Sequence, residues 1–236
     1  MKRMWMSIIL SLAMVPFGFA SGNSADQNKA ESRLKDAASV VQELTQNSPD
    51  QGIPQNIRDG AKCVAVVPGL TKAAFGIGGR WGDGVATCRT SNGWSAPAFF
   101  TLTGGSVGAQ LGVEKTDLVM MIMNNEGMNQ LLKGKVKIGA DASASAGPVG
   151  REASGSVGYD AAILTYSKSK GAFAGASIDG AVVQADDNLM NSLYPNHVTF
   201  TQALKGQVAP PQGAQPFLSA VRNASSNNNS NQSASK

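Results

Sequence analysis

The chain has one histidine, His197, and two cysteines, Cys63 and Cys88. A Ser/His/Asp hydrolytic site needs a histidine base with oriented partners, and a zinc site needs several clustered His, Cys or carboxylate ligands. A lone histidine in an expected turn after Pro195-Asn196 supplies neither, so no catalytic centre, metal or cofactor is expected. Aromatic residues make up 6% and charged residues 15% of the chain. No dense Lys/Arg run interleaved with aromatics occurs, which argues against a nucleic-acid partner. Residues 76–82 (GIGGRWG) miss the G-x-G-x-x-G spacing by one position and lead into strand-like V-A-T-C, not into a helix N-terminus. Gly134-Lys135 lacks the upstream glycine and the Ser/Thr of a P-loop. The acidic residues Asp83, Glu114, Asp117, Asp160, Asp179, Asp186 and Asp187 are scattered near expected turns, where solvation or capping is their usual task.

What is present begins with an address. Lys2 and Arg3 precede an apolar segment over 4–15, Pro16 breaks it, and Gly18-Phe19-Ala20 supplies the small residues a signal peptidase reads. The segment is short of the ~20 residues that span a bilayer. The expectation is a signal peptide over 1–20, cleaved near Ala20, and a periplasmic or secreted product. No cysteine near that site offers a lipid anchor, and no transmembrane span is expected after cleavage. Removing the signal leaves 18 basic against 16 acidic residues, a nearly balanced charge.

Residues 26–46 carry Ala30, Leu34, Ala37, Val41 and Leu44 at helical spacing. The stripe is small, and Lys29, Arg33 and Lys35 are offset by Glu31, Asp36 and Glu43, which favours packing against the domain over membrane insertion. Residues 54–60 read as a short helix opened by Pro54. The run 63–67 reads as a strand stopped by a Pro68-Gly69 turn. The glycines at 76, 78, 79, 82 and 84 suit strands that twist, bulge or approach another backbone. Residues 118–123 (LVMMIM) predict a strand buried on both faces, 126–133 a helix ended by Gly134, and 135–146 one alternating strand. Two more strands are expected at 161–166 and 172–184. Helices follow at 187–194, 198–205 and 214–221. From Asn223 the composition is Asn, Ser, Gln and Ala with one closing Lys, and a disordered tail over 223–236 is expected. The fold class is thus one β-rich α+β domain over 21–222, a curved antiparallel sheet, sandwich or incomplete barrel with an N-terminal helix and short C-terminal helices.

Several separated motifs carry a resemblance: AKCVAVVP at 61–68, FGIGG at 75–79, WSAPAF at 94–99, SVGAQLG at 106–112, GPVGR at 147–151 and YSKSKGAFAG at 166–175. Over about residues 53–204 the chain resembles the SYLF-domain family of lipid-binding domains, as a secreted bacterial member. The resemblance implies non-enzymatic binding of anionic phospholipid or a membrane surface, here in the cell envelope. Fungal members also bind actin, so a structural or protein-interaction domain is the alternative. In animal members the lipid contact lies at an N-terminal amphipathic segment.

Cationic strand ends offer a second way to meet an anionic surface, each Lys contributing about 1 kcal/mol. The candidates are Lys168 and Lys170 on one expected turn, Lys72 at the corresponding turn if the two hairpins are internally related, and Lys133, Lys135 and Lys137 at another strand start. Solvated lysines with no partner are the ordinary alternative. Finally, two cysteines in an exported chain, each at the end of an expected strand, predict a Cys63–Cys88 disulfide, although two buried thiols would have the same sequence signature.

Overall fold

In a computed structural model of the chain, residues 24–46, 52–149, 161–169, 172–194 and 196–226 are described. The expected signal segment over 1–20, Lys170 and the last ten residues lie outside them.

Helix α1, Ser24–Gln46, is the long helix that the 3- and 4-residue spacing predicts. Its stripe of Ala30, Leu34, Ala37, Val41 and Leu44 is fully buried. After α2, Gln55–Gly60, the chain enters β1, Cys63–Thr90, then the short β2, Gly93–Trp94, and β3, Ala98–Ile122. Strands β1 and β3 form one antiparallel ribbon, paired from Cys63↔Ile122 to Ala86↔Ala98. The remaining elements are α3, Asn125–Leu131; β4, Lys135–Lys137; β5, Ala144–Ala146; β6, Ile163–Ser169; β7, Ala172–Gly175; β8, Val182–Ala185; α4, Asp187–Leu193; α5, Phe200–Leu204; and, after a 3-10 turn, α6, Gln215–Ser226.

The ribbon folds back on itself. Cys63 and Cys88 lie on the same strand, yet their Cα atoms are 3.9 Å apart and a disulfide joins them. Next to them the Arg89 N–H donates to the Lys62 carbonyl at 2.7 Å. The two halves of β1 are therefore neighbours at the base, and the outer strands divide between them. Strand β6 pairs with residues 117–122 of β3 and carries β7 and β5, while β8 pairs with residues 100–103 of β3 and carries β4. The result is a strongly curled half-barrel. Ala65, Met120 and Ile122 of one arm face Val136 and Val183 of the other inside the curl. The alternate residues Val64 and Met121 face outward onto Val41 and Leu44 of α1 and Val221 of α6. This double burial is what the LVMMIM run implies.

Four expectations change. Pro68-Gly69 does not end the first strand: the register slips between Val67 and Leu70, and the strand runs on through a bulge. Gly69 supplies the left-handed backbone there (φ 60°), and its N–H donates to the Asp117 carboxylate at 2.9 Å. The first "hairpin" is thus a bulge, and the internal repeat that would align Lys72 with Lys170 is absent. The alternating run 135–146 is not one strand but β4, a turn and β5, because Gly139 (φ 87°) reverses the chain and the Asp141 carboxylate accepts the Lys137 N–H at 2.7 Å. Residues 172–184 likewise split into β7 and β8 around a turn with Gly180 at φ 78°. Last, α6 runs to Ser226, so a tail boundary at Asn223 falls inside a helix. Ala224 is buried and its carbonyl accepts from the Arg58 guanidinium at 3.0 Å. Burial pulls the Arg58 pKa below its ordinary value, and neighbouring Asp59 opposes that shift.

Candidate functional site: the bend of the ribbon and the cleft at its foot

Folding a two-stranded ribbon in half leaves a bend. Two bulges, between Val67 and Leu70 and between Phe75 and Ile77, break the register and let the strands turn. Beyond the β6 and β8 pairings, residues 104–116 of β3 pair with β1 alone among the described residues. No helix or sheet among the described residues covers the bend: Phe75 is 78% exposed, Val113 70% and Trp81 50%. Large apolar side chains are normally buried, and this grouping on one ribbon is the main exception among the described residues.

At the foot of the bend the two arms of β1 part and α1 crosses the gap. A cleft of about 440 Å³ opens there, lined by Lys29, Ser32, Arg33 and Asp36 of α1 and by Pro68, Gly69, Thr71, Trp81, Gly82 and Asp83 of β1. Its floor depends on Gly82, where an added Cβ would stand 2.6 Å from Val67 Cγ1 and 3.3 Å from Leu70 Cα. Only a residue without a side chain lets the arms approach this closely. Its wall is fixed by Arg33, a buried guanidinium that reaches Asp83 at 2.5 Å and Asp186 at 3.3 Å. Asp186 also caps α4 through the Leu189 N–H at 3.1 Å. The cleft combines the ammonium of Lys29, the hydroxyls of Ser32 and Thr71, two carboxylates and an indole. That is a polar set with hydrogen-bonding capacity, in which Lys29 and Arg33 balance Asp36 and Asp83.

The lysines named from sequence do not form one patch. Lys72 is half-buried on β1, opposite Glu114 in register. Lys168 sits within β6, opposite Asp117, and makes an ion pair with Glu43 of α1. It ties the helix to the sheet. Lys133 is exposed and donates to Gln130 at 2.7 Å. Lys135 and Lys137 are exposed on β4, which reaches the ribbon only through β8 on the other arm. Lys170 lies outside the described residues. His197 is exposed, with its ring nitrogen 3.2 Å from Asn191 Oδ1. Among the described residues no cluster of His, Cys, Asp and Glu could hold a metal.

Sequence reasoning missed Lys29, Arg33, Lys115, Trp81 and the exposure of Phe75 and Val113. Arg33 meets partners 50 and 153 positions away, and no local pattern encodes such a pairing. The one usable signal was Phe75, a large aromatic set in glycine with no apolar neighbour of its own size on either side.

The sequence profile of a family described as Ysc84, Las17-binding protein actin regulator, matches residues 103–224. Protein YSC84 of Saccharomyces cerevisiae is 34% identical over 206 residues, covering 83% of this chain and 44% of the yeast protein. The SH3 domain-containing protein PJ696.02 of Schizosaccharomyces pombe is 39% identical over 171 residues, covering 70% and 40% respectively. The SH3 domain-containing YSC84-like protein 1 of Bos taurus is 30% identical over 207 residues, covering 84% and 60%. The chain thus spans about half the length of the curated relatives it matches. These relatives are fungal and animal proteins, and the expectation of a secreted bacterial member finds no counterpart among them. No solved structure matches the chain. The family is named for binding and regulation, not for a reaction. On its curled half-barrel, its order of motifs and the profile match across its C-terminal half, the chain belongs to the Ysc84, or SYLF-domain, family.

Proposed function

We propose that this chain is a non-enzymatic domain that binds an anionic phospholipid surface, in a compartment outside the reducing cytosol. The observation that carries the reading is the uncovered bend, where Phe75 and Val113 stand in solvent with Lys72 and Lys115 behind them. Residues 71–80 and 104–116 hold three basic residues and one acidic residue, a local charge of +2. Apolar tips backed by cations suit a negatively charged bilayer better than bulk water. The family's helix-borne contact does not transfer, because the apolar stripe of α1 is buried in the core. Export is supported by the three-part segment over 1–20 and by the Cys63–Cys88 bond, which persists in oxidising compartments. The periplasm or the extracellular space is the proposed location.

The test is co-sedimentation of the purified chain with phosphatidylglycerol/cardiolipin vesicles at low and at physiological salt. Pelleting that weakens with salt supports the reading, and no pelleting with either anionic lipid at low salt overturns it. A second reading, a protein-interaction domain, is favoured by the family description, which names Las17 binding and actin regulation. Pelleting with actin filaments in the absence of lipid would support that reading instead.

A further inference from the structure

We propose that the bend of the ribbon is a shallow membrane wedge: Phe75 and Val113 enter the boundary between headgroups and acyl chains, while Lys72 and Lys115 stop at the level of the phosphates. The inference rests on the lipid-surface reading above and names the element that makes the contact.

Register places these side chains. Thr71 pairs with Lys115 and Ala73 with Val113. Directly opposed residues of an antiparallel pair share a face, and alternate residues along each strand share it too. Thr71, Ala73, Phe75, Val113 and Lys115 therefore lie on one face of the ribbon, while Lys72, opposite Glu114, lies on the other face at nearly the level of Lys115. From the domain outward the first face runs from a hydroxyl and a cation, through alanine and valine, to phenylalanine. Four residues separate the Lys115 level from the Phe75 level, about 14 Å at ~3.4 Å per residue. That span is longer than the roughly 5–10 Å to which amphipathic elements sink, so Phe75 reaches that depth while Lys115 stays at the phosphates. Thr71 also lines the cleft, and Trp81 stands at its rim. The cleft would then lie among the headgroups, where an indole with one wet edge is well accommodated.

Backbone chemistry limits the depth. Among the described residues, strand pairing of residues 104–116 of β3 is with β1 alone, so one row of their peptide groups needs water or headgroup partners. Unsatisfied peptide groups are costly in hydrocarbon. Side chains can cross the boundary, but the ribbon itself stays above it. A protein groove is a poorer occupant. It would have to match a convex bend only two strands wide with a +2 charge, whereas a fluid anionic surface needs no shape match.

The experiment uses the full chain carrying Phe75→Trp and phosphatidylglycerol vesicles brominated at shallow or deep acyl positions, with the wild type correcting for Trp5, Trp81 and Trp94. Expected are a blue shift and quenching that is stronger from the shallow bromines. In parallel, Phe75→Ser/Val113→Ser is expected to weaken vesicle binding about tenfold or more, with the melting temperature unchanged because both side chains are exposed. If the wild type pellets with vesicles while the added fluorescence of the Phe75→Trp protein is unquenched and the double serine variant binds equally well, the wedge is wrong and the lipid-surface reading stands. If the wild type does not pellet, both fall. If the double variant is unfolded, quenching of the Phe75→Trp protein decides alone.

Discussion

Replacing Cys63 and Cys88 together by alanine is expected to destabilise the domain by roughly 3–4 kcal/mol, because the bond closes a loop of 25 residues that the unfolded chain would otherwise explore. The loop is the folded ribbon itself. Both sulfurs are fully buried, so the alanines also remove some core volume, and the loss should reach the upper end of that range. For a domain of this size, 1 kcal/mol corresponds to about 2–4 °C, which puts the expected fall in melting temperature at roughly 6–16 °C. Thermal and urea unfolding of the oxidised wild type, the reduced wild type and the double variant measure it. The two disulfide-free forms should resemble one another. A double variant as stable as the oxidised protein would show that the base of the ribbon is held by the Arg89–Lys62 backbone bond and core packing alone, and would refute the idea that the bond staples the bend. Intact mass of exported protein, with and without reductant, checks that the bond forms.

Three further outcomes are expected. Gly82→Ala drives a methyl into Val67 and the Leu70 backbone and should cost about 1–3 kcal/mol in urea unfolding, whereas a well-tolerated alanine would mean the arms are not in close contact. Truncation after Arg222 removes Ala224, whose carbonyl Arg58 holds, and should lower stability by about 1–3 kcal/mol; a stop after Ser226 should leave the melting temperature unchanged, because the residues removed offer almost nothing apolar to bury. Tyr194 donates to the Pro97 carbonyl at 2.5 Å, and burial raises its phenol above the ordinary value near 10. Its stabilising effect is fully present below pH ~10 and is lost as pH rises toward the folded-state pKa. Tyr194→Phe should therefore be less stable than the wild type by about 1 kcal/mol at neutral pH, with the gap closing above pH ~10 in a pH series of urea melts. A gap that stays constant across pH would contradict this.

Local patterns carried most of the elements. The α1 stripe was legible because 3.6-residue periodicity is a property of the segment itself, and LVMMIM was legible because a short run that is apolar on both faces has few other uses. The disulfide followed from the cysteine count together with the expectation of export. Pro68-Gly69 misled because a bulge with positive φ uses the same residues as a turn. The broken strands after Lys137 and Gly175 misled because apolar alternation continued through Gly139 and into the Gly180 turn. The cleft was illegible for a different reason: Arg33, Asp83 and Asp186 come together only when the ribbon folds in half, and nothing near any of them in sequence shows that fold. The same holds for exposure. Lys168 was expected on a turn, solvated or facing an anionic surface, but is paired with Glu43.

The proposed contact of this domain with an anionic membrane is the bend of its ribbon. It is tested most directly by vesicle binding of the wild type beside Lys72→Glu/Lys115→Glu, measured as pelleted fraction against phosphatidylglycerol content at low salt. At about 1 kcal/mol per cation near the surface, two charge reversals should weaken binding by at least tenfold, without loss of fold by circular dichroism. Equal pelleting of the two proteins, or no pelleting of the wild type at any phosphatidylglycerol content, would contradict the account.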